Sequence, residues 1–572
     1  MIKGEEKNRK VVILGFDGTT FDLIRPWIDE GKLPTFAKLM KEGSYGALES
    51  TPCMSSPPAW TSFSTGKNPG GHGVYSFMDI TPGTLDMYYR DSTFRDGETM
   101  WSLFNKAGKK AIVLNVPMTY PADKLDGCMV SGWNAPGIKS EGFTYPPDLI
   151  DELLEKFNEY PIFPTVKKNM VSARPDLAIK ELHRELDIKA SVTKYLMKSR
   201  PWDLVCSVFL ATDQVQHYFW HYMDKNHPEY DEKEARLFGD AILDVYKKCD
   251  SLLADIIKDL SDDTSIIVMS DHGNGINAGG VQFMIPWLTA LGLMVDLKNT
   301  PPSFIAHPLL SSKIHTKNLL KKQYLWMNNN LSVKAKGFLN NLLPGIRDRV
   351  ESSWRLSTVD WSKSRCFFHY MPRINLKGRE AYGIVSPGKE YEQLSDYVIS
   401  KLYESRDIKT GKPIVKEVLK GEDVYRGKYI NLAPDMMIRW NDSVISGIVC
   451  TDENGKEVRV TEKDVVDHRS GNHTPKGIFI AKGKDFKKGL EVQGLELIDI
   501  APTVLYLMGM PIPEDVDGKV AEDIFLDEFS ASHSTTYSKS SDGEFSDNDL
   551  QGYSPEEEEK VAKTLRDMGY IE

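Results

Sequence analysis

The sequence predicts an α/β fold built on a mostly parallel central sheet with helices on both faces. Three observations carry this expectation. Five short runs read as strands: Val11 to Phe16, Ala111 to Val116, Leu204 to Leu210, Ser265 to Met269 and Gly477 to Ala481. Each is apolar nearly throughout rather than alternating, the pattern of a strand covered on both sides. Helical patterns separate them, as in crossover units joining parallel strands.

Taken in order, the first strand ends on Asp17-Gly18. A helix follows over Leu33 to Lys41, with Pro34 in its first turn and Gly43 just past its end, the usual asymmetry of helix termini. Residues 50–73 form a Pro-rich turn dense in hydroxyls that leads into a short helix and a glycine-rich loop. Helices are expected over Thr99 to Lys106, closed by Gly108, and over Asp148 to Phe157. The third, fourth and fifth strands then supply the remaining sheet positions. Between residues 287 and 360 the character changes. Lys313 to Arg349 holds six Lys and two Arg against one Asp, with Trp326 and several leucines interspersed. That reads as an inserted basic helical cap, either a solvated cover or a surface for anionic substrates or membranes. The expected division is therefore a core over 8–286, the cap over 287–360, a second part of the core over 361–526, and an acidic flexible tail with a short terminal helix over 527–572.

The bulk numbers narrow the function. A chain of 572 residues allows two to four domains or one large interrupted domain. With 41% apolar residues it has ample material for a core, which excludes global disorder. The formal charge is −11, but the last 46 residues hold twelve acids against four bases, so the body is close to neutral. A near-neutral body with one basic cluster argues against nucleic acid as the main partner. Six scattered cysteines form no C-x-x-C pair, so neither a thiolate zinc site nor a disulfide framework is indicated. No run approaches the ~20 apolar residues of a membrane span, and the charged start lacks an apolar leader segment. A cytoplasmic protein is the expectation.

Three strands end in acids: Asp17 after the first, Asp213 after the third and Asp271 after the fourth. Open α/β sheets bind ligands beyond the carboxyl ends of their strands, so these three can converge. Alone, each would be a helix cap or turn residue. Histidines accompany them, however. Asp213 and His217 lie four apart on one helical face, His272 follows Asp271, and His473 precedes the last strand. A donor set of oxygen and nitrogen without sulfur suits zinc or manganese at a catalytic centre. In the hydroxyl-rich turn, a Ser at a helix N-terminus is either an ordinary cap or a nucleophile that a metal could ionise.

Together these segments resemble the alkaline phosphatase superfamily, in particular its type I phosphodiesterase and nucleotide pyrophosphatase branch. Four motifs stand in the family's order: Gly15-Phe-Asp17-Gly; residues 55–66, Ser-Ser-Pro-Pro-Ala-Trp-Thr-Ser-Phe-Ser-Thr-Gly; Thr212 to His217; and Ser270-Asp-His-Gly followed by Gly471-Asn-His473. Asp499-Ile-Ala-Pro-Thr503 and Leu565 to Tyr570 are similar as well, and the likeness covers most of residues 8–525. The resemblance implies an alkaline-phosphatase-like sheet and two divalent ions, Zn2+ or Mn2+. One ion would be held by Asp17, Asp271 and His272 with the nucleophile, the other by Asp213, His217 and His473. Counting back from Gly66 places the nucleophile on Ser56, with Ser55 as the fallback, and implies a phosphoseryl intermediate. Nucleotide-cleaving relatives carry an Asn shortly after the His-Gly of the nucleophile motif, where this chain has Phe77, so nucleotide preference is in doubt. The sulfatase pattern C-x-P-x-R is not met at Cys53.

The expected function is thus a metal-dependent phosphoester hydrolase acting on a small-molecule substrate, nucleotide or lipid-linked. A phosphomonoesterase or mutase-like phosphotransferase of the same superfamily, and an inactive binding protein, are the rival readings.

Overall fold

The computed structural model describes residues 9–81, 83–85, 87–297, 356, 358–461, 463, 468–539 and 552–569. The basic stretch of the expected cap, Lys313 to Arg349, lies outside the described residues, as do Asp467 and Tyr570.

The central sheet is built from β1 (Lys10–Phe16), β2 (Ser44–Glu49), β3 (Ala111–Leu114), β4 (Gly127–Val130), β5 (Thr144–Tyr145), β6 (Leu204–Phe209) and β7 (Thr264–Met269). A short ribbon, β8 (Gly273–Ile276) with β9 (Gly471–Thr474), leads to β10 (Lys476–Lys482) and β11 (Leu490–Glu491). The strand order is β11-β2-β10-β7-β1-β6-β3-β4-β5, and Leu495–Glu496 also pairs β2. All five expected strands form. Pairing is parallel across β7-β1-β6-β3-β4, while β10 runs antiparallel to both β7 and β2. Side chains alternate between two buried faces along β1. Val12, Leu14 and Phe16 enter one apolar cluster, and Val11 and Ile13 the other. That two-sided burial is why the run carries no polar residue.

Sequence reading passed over β2, β4, β5 and β11. The last three are short, and β2 contains Gly46 where the carbonyl of Val492 approaches too closely for a side chain. A glycine demanded by a neighbouring backbone reads as a turn when that neighbour lies far along the chain.

Where the core was expected to resume at residue 361, residues 366–460 add no strand to the central sheet. They form small antiparallel pairs, Cys366–Phe368 with Pro372–Ile374, Val415–Lys420 with Met436–Trp440, and Ile448–Thr451 with Glu457–Val460. With the helices Met284–Ala290 and Lys389–Glu404 they enclose a third apolar cluster around Trp287. Val415–Lys420, Ile448–Thr451 and Glu457–Val460 leave part of their residues exposed or half-buried, which suits a one-sided cover rather than a two-sided sheet. A fourth, smaller cluster seats this cover on the chain to either side of Ser56, bringing Tyr425, Ala433 and Met437 against Cys53 and Tyr75.

The terminal helix α3 (Pro555–Met568; α1 and α2 are defined below) forms as expected but is docked rather than detached. Ser554 and Glu557 close a capping box, and Val561, Leu565 and Met568 enter the first core cluster. Tyr553 stacks on Tyr120 with ring centroids 5.7 Å apart and donates its hydroxyl to the Asn134 carbonyl. Residues 527–539 are folded too, through the helix Asp527–Ser532 and the pairing of Tyr537–Ser538 with Ile512–Pro513. The apolar positions of α3 are spaced for one buried stripe, and Glu557 at its start accepts from the Tyr120 hydroxyl at 2.7 Å, so charge did not keep it from docking. Leu565→Ala, at a fully buried position, is expected to cost about 2–5 kcal/mol of stability, measured by denaturant unfolding. A cost below about 0.5 kcal/mol would show that the helix contributes no packing. Among the described residues no helix is long and apolar enough to cross a membrane.

Candidate active site

Three adjacent strands, β7, β1 and β6, deliver the three acids at their carboxyl ends. Asp17 follows β1 directly, and its backbone N–H donates to the carbonyl of Phe209 at the end of β6 at 3.0 Å. Gly18 turns the chain away with φ +69°, and a Cβ there would lie 3.0 Å from Asp213 Oδ1. Only glycine serves such a position. Asp213 sits in the first turn of α2 (Ala211–Met223), and His217 lies one turn on. Asp271 and His272 occupy the tight link between β7 and β8. His473 stands opposite Asn274 in the β8–β9 ribbon. A crossover of 256 residues thereby brings His473 Nε2 to 3.1 Å from His217 Nε2.

The six expected residues gather as two neighbouring groups, Asp213 with His217 and His473, and Asp17 with Asp271 and His272, and each group could hold a metal ion. The rings of His272 and His473 stack at 3.8 Å, so the groups adjoin. Hydrogen bonding defines the state of each imidazole. His217 Nδ1 lies 2.8 Å from the Gly471 carbonyl, His272 Nδ1 3.0 Å from that of Gly273, and His473 Nδ1 2.6 Å from that of Met54. A carbonyl only accepts, so each Nδ1 is a donor and each Nε2 is the ring atom turned toward the carboxylates. The Nε2 atoms face carboxylate oxygens: His217 Nε2 and His473 Nε2 lie 3.1 and 3.4 Å from Asp213 Oδ1, and His272 Nε2 lies 3.3 Å from Asp271 Oδ2 and 3.5 Å from Asp17 Oδ1.

Asp17 Oδ1, Asp271 Oδ2 and His272 Nε2 are buried without a hydrogen-bond partner. Burial and then the charges of Asp271 and Asp213 push the Asp17 carboxyl well above its ordinary range, and burial with Asp213 does the same to Asp271. Burial would also raise Asp213, but the imidazoles of His217 and His473 hold it well below. Burial and the neighbouring His272 push His473 down to about 3, so its ring is neutral at physiological pH. Carboxyls and imidazoles buried this close together are what a cation satisfies, and the oxygen and nitrogen donor set fits a divalent ion.

The nucleophile candidates lie on α1 (Ser56–Thr65). Ser55 is its extended N-cap residue and makes no side-chain capping bond. Ser56 opens the helix, is fully buried, and its Oγ has no hydrogen-bond partner. Pro57 and Pro58 fill the next two positions and carry no N–H, which fixes the turn and leaves Ser56 N–H as its free donor. Two contacts bracket Ser56. Two residues before it the Met54 carbonyl accepts from His473, and four residues after it Trp60 Nε1 donates to Asp17 Oδ2 at 2.9 Å. The turn is therefore tied to one residue of each group.

Several residues here escaped sequence reading. Trp60, Asn274 and Gln214 are neutral donors to the carboxylates, with Asn274 Nδ2 3.3 Å from Asp213 Oδ1 and Gln214 Nε2 3.2 Å from Asp213 Oδ2. Trp60 and Gln214 lie inside the motifs and Asn274 directly after one, which was the available signal. Phe77 packs against Trp133 at 4.6 Å and is buried, so it presents no donor where the nucleotide-cleaving relatives carry Asn. Burial pushes the Cys53 thiol up to about 11, keeping it protonated. The Asp499 segment is structural: its carboxylate accepts from the N–H groups of Glu496 and Lys519 and closes a turn.

Comparison with known proteins bears on this geometry. The chain is similar over most of its length to the human ectonucleotide pyrophosphatase/phosphodiesterase 5 structure, at 14% identity and a TM-score of 0.44, covering 88% of this chain and 95% of that one. It is similar to phosphonoacetate hydrolase from Sinorhizobium meliloti 1021 in complex with phosphonoformate, at 13% identity and a TM-score of 0.47, covering 86% and 94%. A quadruple mutant of the alkaline phosphatase PafA gives 13% identity and a TM-score of 0.46, covering 90% and 98%. No curated protein matches the chain. The sequence profile of the type I phosphodiesterase / nucleotide pyrophosphatase family matches residues 11–298, half of the chain and the part that carries five of the six acids and imidazoles together with Ser56. On that match the chain belongs to the type I phosphodiesterase / nucleotide pyrophosphatase family and is a phosphoester hydrolase.

Proposed function

We propose that this chain is a metal-dependent phosphodiesterase whose nucleophile is Ser56, with Asp17, Asp271 and His272 holding one divalent ion and Asp213, His217 and His473 a second. The observation that carries the reading is the convergence of three carboxyls and three imidazoles in two groups, with a buried hydroxyl without a partner on the adjoining helix turn. Bound zinc or manganese would supply Lewis-acid polarisation of the phosphoryl oxygens and lower the pKa of a ligated hydroxyl. The chain's own residues do the rest. Fixed Nδ1–H bonds orient the three imidazoles, and Trp60 holds Asp17 in place. Ser56 Oγ forms a bond to phosphorus as the bond to the leaving-group oxygen breaks. Water oxygen then replaces Oγ on phosphorus and the serine regains its proton. Because Phe77 is buried against Trp133, recognition of a nucleotide phosphate through that position is absent from this reading.

Metal and substrate class are tested together. Purified protein is expected to hydrolyse a chromogenic phosphodiester faster than the corresponding monoester. Treatment with EDTA is expected to lower the rate at least about 100-fold, with recovery on adding zinc or manganese. Full activity after complete metal removal would overturn the mechanism. A faster monoester would move the chain to the phosphomonoesterase reading.

A further inference from the structure

Resting on that two-ion reading, we propose that Trp60 and Asn274 are positioning residues that divide the two groups between them, Trp60 setting Asp17 and Asn274 setting Asp213.

An indole has a single donor, lying in the ring plane. Trp60 spends it on Asp17 Oδ2 at 2.9 Å, which leaves Oδ1 as the oxygen facing His272 and Asp271. The ring cannot swing. At Gly15 an added Cβ would stand 2.5 Å from Trp60 Cη2, and Phe63 meets the ring edge-on at 5.3 Å. Both Trp60 and Asp17 are fully buried, so no water competes for the bond. Trp60 lies one turn beyond Ser56 on α1, so the helix that presents the hydroxyl also selects the carboxylate oxygen offered to the neighbouring ion.

On the other side Asn274 fixes the oxygen that itself faces His217 and His473, Asp213 Oδ1, while Gln214 Nε2 takes Oδ2 at 3.2 Å. Asn274 Oδ1 accepts from the Gly275 N–H at 3.1 Å, which settles the amide orientation and turns Nδ2 toward Asp213 Oδ1 at 3.3 Å. It is directly opposite His473 in the ribbon, so strand register couples the donor to the imidazole of the same group. Both residues are neutral. A Lys or Arg donor would orient the carboxylates equally well but would repel the cation. Neutral donors aim the oxygens while leaving their charge to the ion.

The test is a double dissociation in metal affinity. EDTA-stripped protein is titrated with Co2+ by calorimetry and visible absorption. The group with two imidazoles and the group with one give different ligand-field bands. Wild type is expected to bind two ions. Trp60→Phe keeps a buried ring and deletes the donor, and is expected to weaken the Asp17 group about 10–100-fold while sparing the other. Asn274→Ala is expected to weaken the Asp213 group by a similar factor and spare the first. Should Trp60→Phe loosen the core, 3-benzothienylalanine at position 60, with sulfur in place of N–H, keeps the shape and is expected to give the same loss. Equal weakening of both groups by each variant, or wild-type affinity with the sulfur isostere, would overturn the inference. Fewer than two ions in wild type would instead sink the two-ion reading beneath it.

Discussion

Ser56→Ala is expected to lower kcat on a phosphodiester by about 10⁴ to 10⁶-fold, the range for deleting a covalent nucleophile. That corresponds to about 5–8 kcal/mol of transition-state stabilisation. The same substitution is expected to leave the six carboxylate and imidazole ligands untouched, so bound metal should fall by no more than the loss of one oxygen donor allows. Stability should not fall either. Ser56 Oγ is buried and bonds to nothing in the chain, and removing an unsatisfied buried hydroxyl relieves a desolvation cost of about 1–3 kcal/mol. Ser55→Ala supplies the contrast. Ser55 Oγ meets only Cys53 Sγ, at 3.9 Å, and the variant is expected to retain activity within about threefold. Measuring kcat, metal content and Tm for both variants separates a nucleophile from a packing residue. Inactive Ser55→Ala beside active Ser56→Ala would shift the nucleophile by one residue, and two active variants would remove serine from the chemistry.

Much of this site was legible before any coordinates, for a physical reason. Strands buried on both faces are conspicuously apolar, so an acid at the carboxyl end of one stands out. Asp17, Asp213 and Asp271 are such acids, on three strands that prove adjacent. Helical spacing joined His217 to Asp213, and chain adjacency joined His272 to Asp271. His473 was weaker, because nothing local says that residue 473 returns to residue 217. What could not be read were neutral residues defined by a partner. Trp60 reads as an ordinary core aromatic until Asp17 is placed against its N–H, and Asn274 as a turn residue until Asp213 is. The fold shows the same division. Strands with continuous apolar runs were found, while β2, whose glycine answers to a distant carbonyl, was not. Residues 366–460 were expected within the second part of the core, and their strands form small pairs of their own. The terminal helix was judged by net charge, whereas its docking depends on the stripe of Val561, Leu565 and Met568.

Stability offers a second large effect, with opposite signs in the presence and absence of metal. Asp271 is fully buried, and burial together with Asp213 raises its carboxyl well above 3.8. A folded-state pKa above the unfolded one means that the native protein binds a proton the unfolded chain has released. Stability therefore falls as pH rises from about 4 through the folded pKa, by up to about 1.4 kcal/mol per pH unit. Asp271→Asn removes this liability. In EDTA-stripped protein the variant is expected to be the more stable of the two, by a margin that widens as pH rises above 4. Buried imidazoles titrate in the other direction: His72 and His473 are held at about 3 and His221 at about 4, so they add stability as pH rises toward 6.5. They are common to both proteins and cancel in the comparison. Adding divalent ion should reverse the ranking. An ion at 100 times its Kd stabilises the folded state by about 2.7 kcal/mol per site, and wild type can use both groups where Asp271→Asn has lost a charged ligand in one. Unfolding followed at pH 5, 6.5 and 8, with EDTA and with zinc, gives the four-way comparison. A wild type that is the more stable protein in EDTA at pH 8 would show that the three buried carboxylates are not held together against their mutual repulsion. An unchanged ranking on adding zinc would show that the ion does not relieve it.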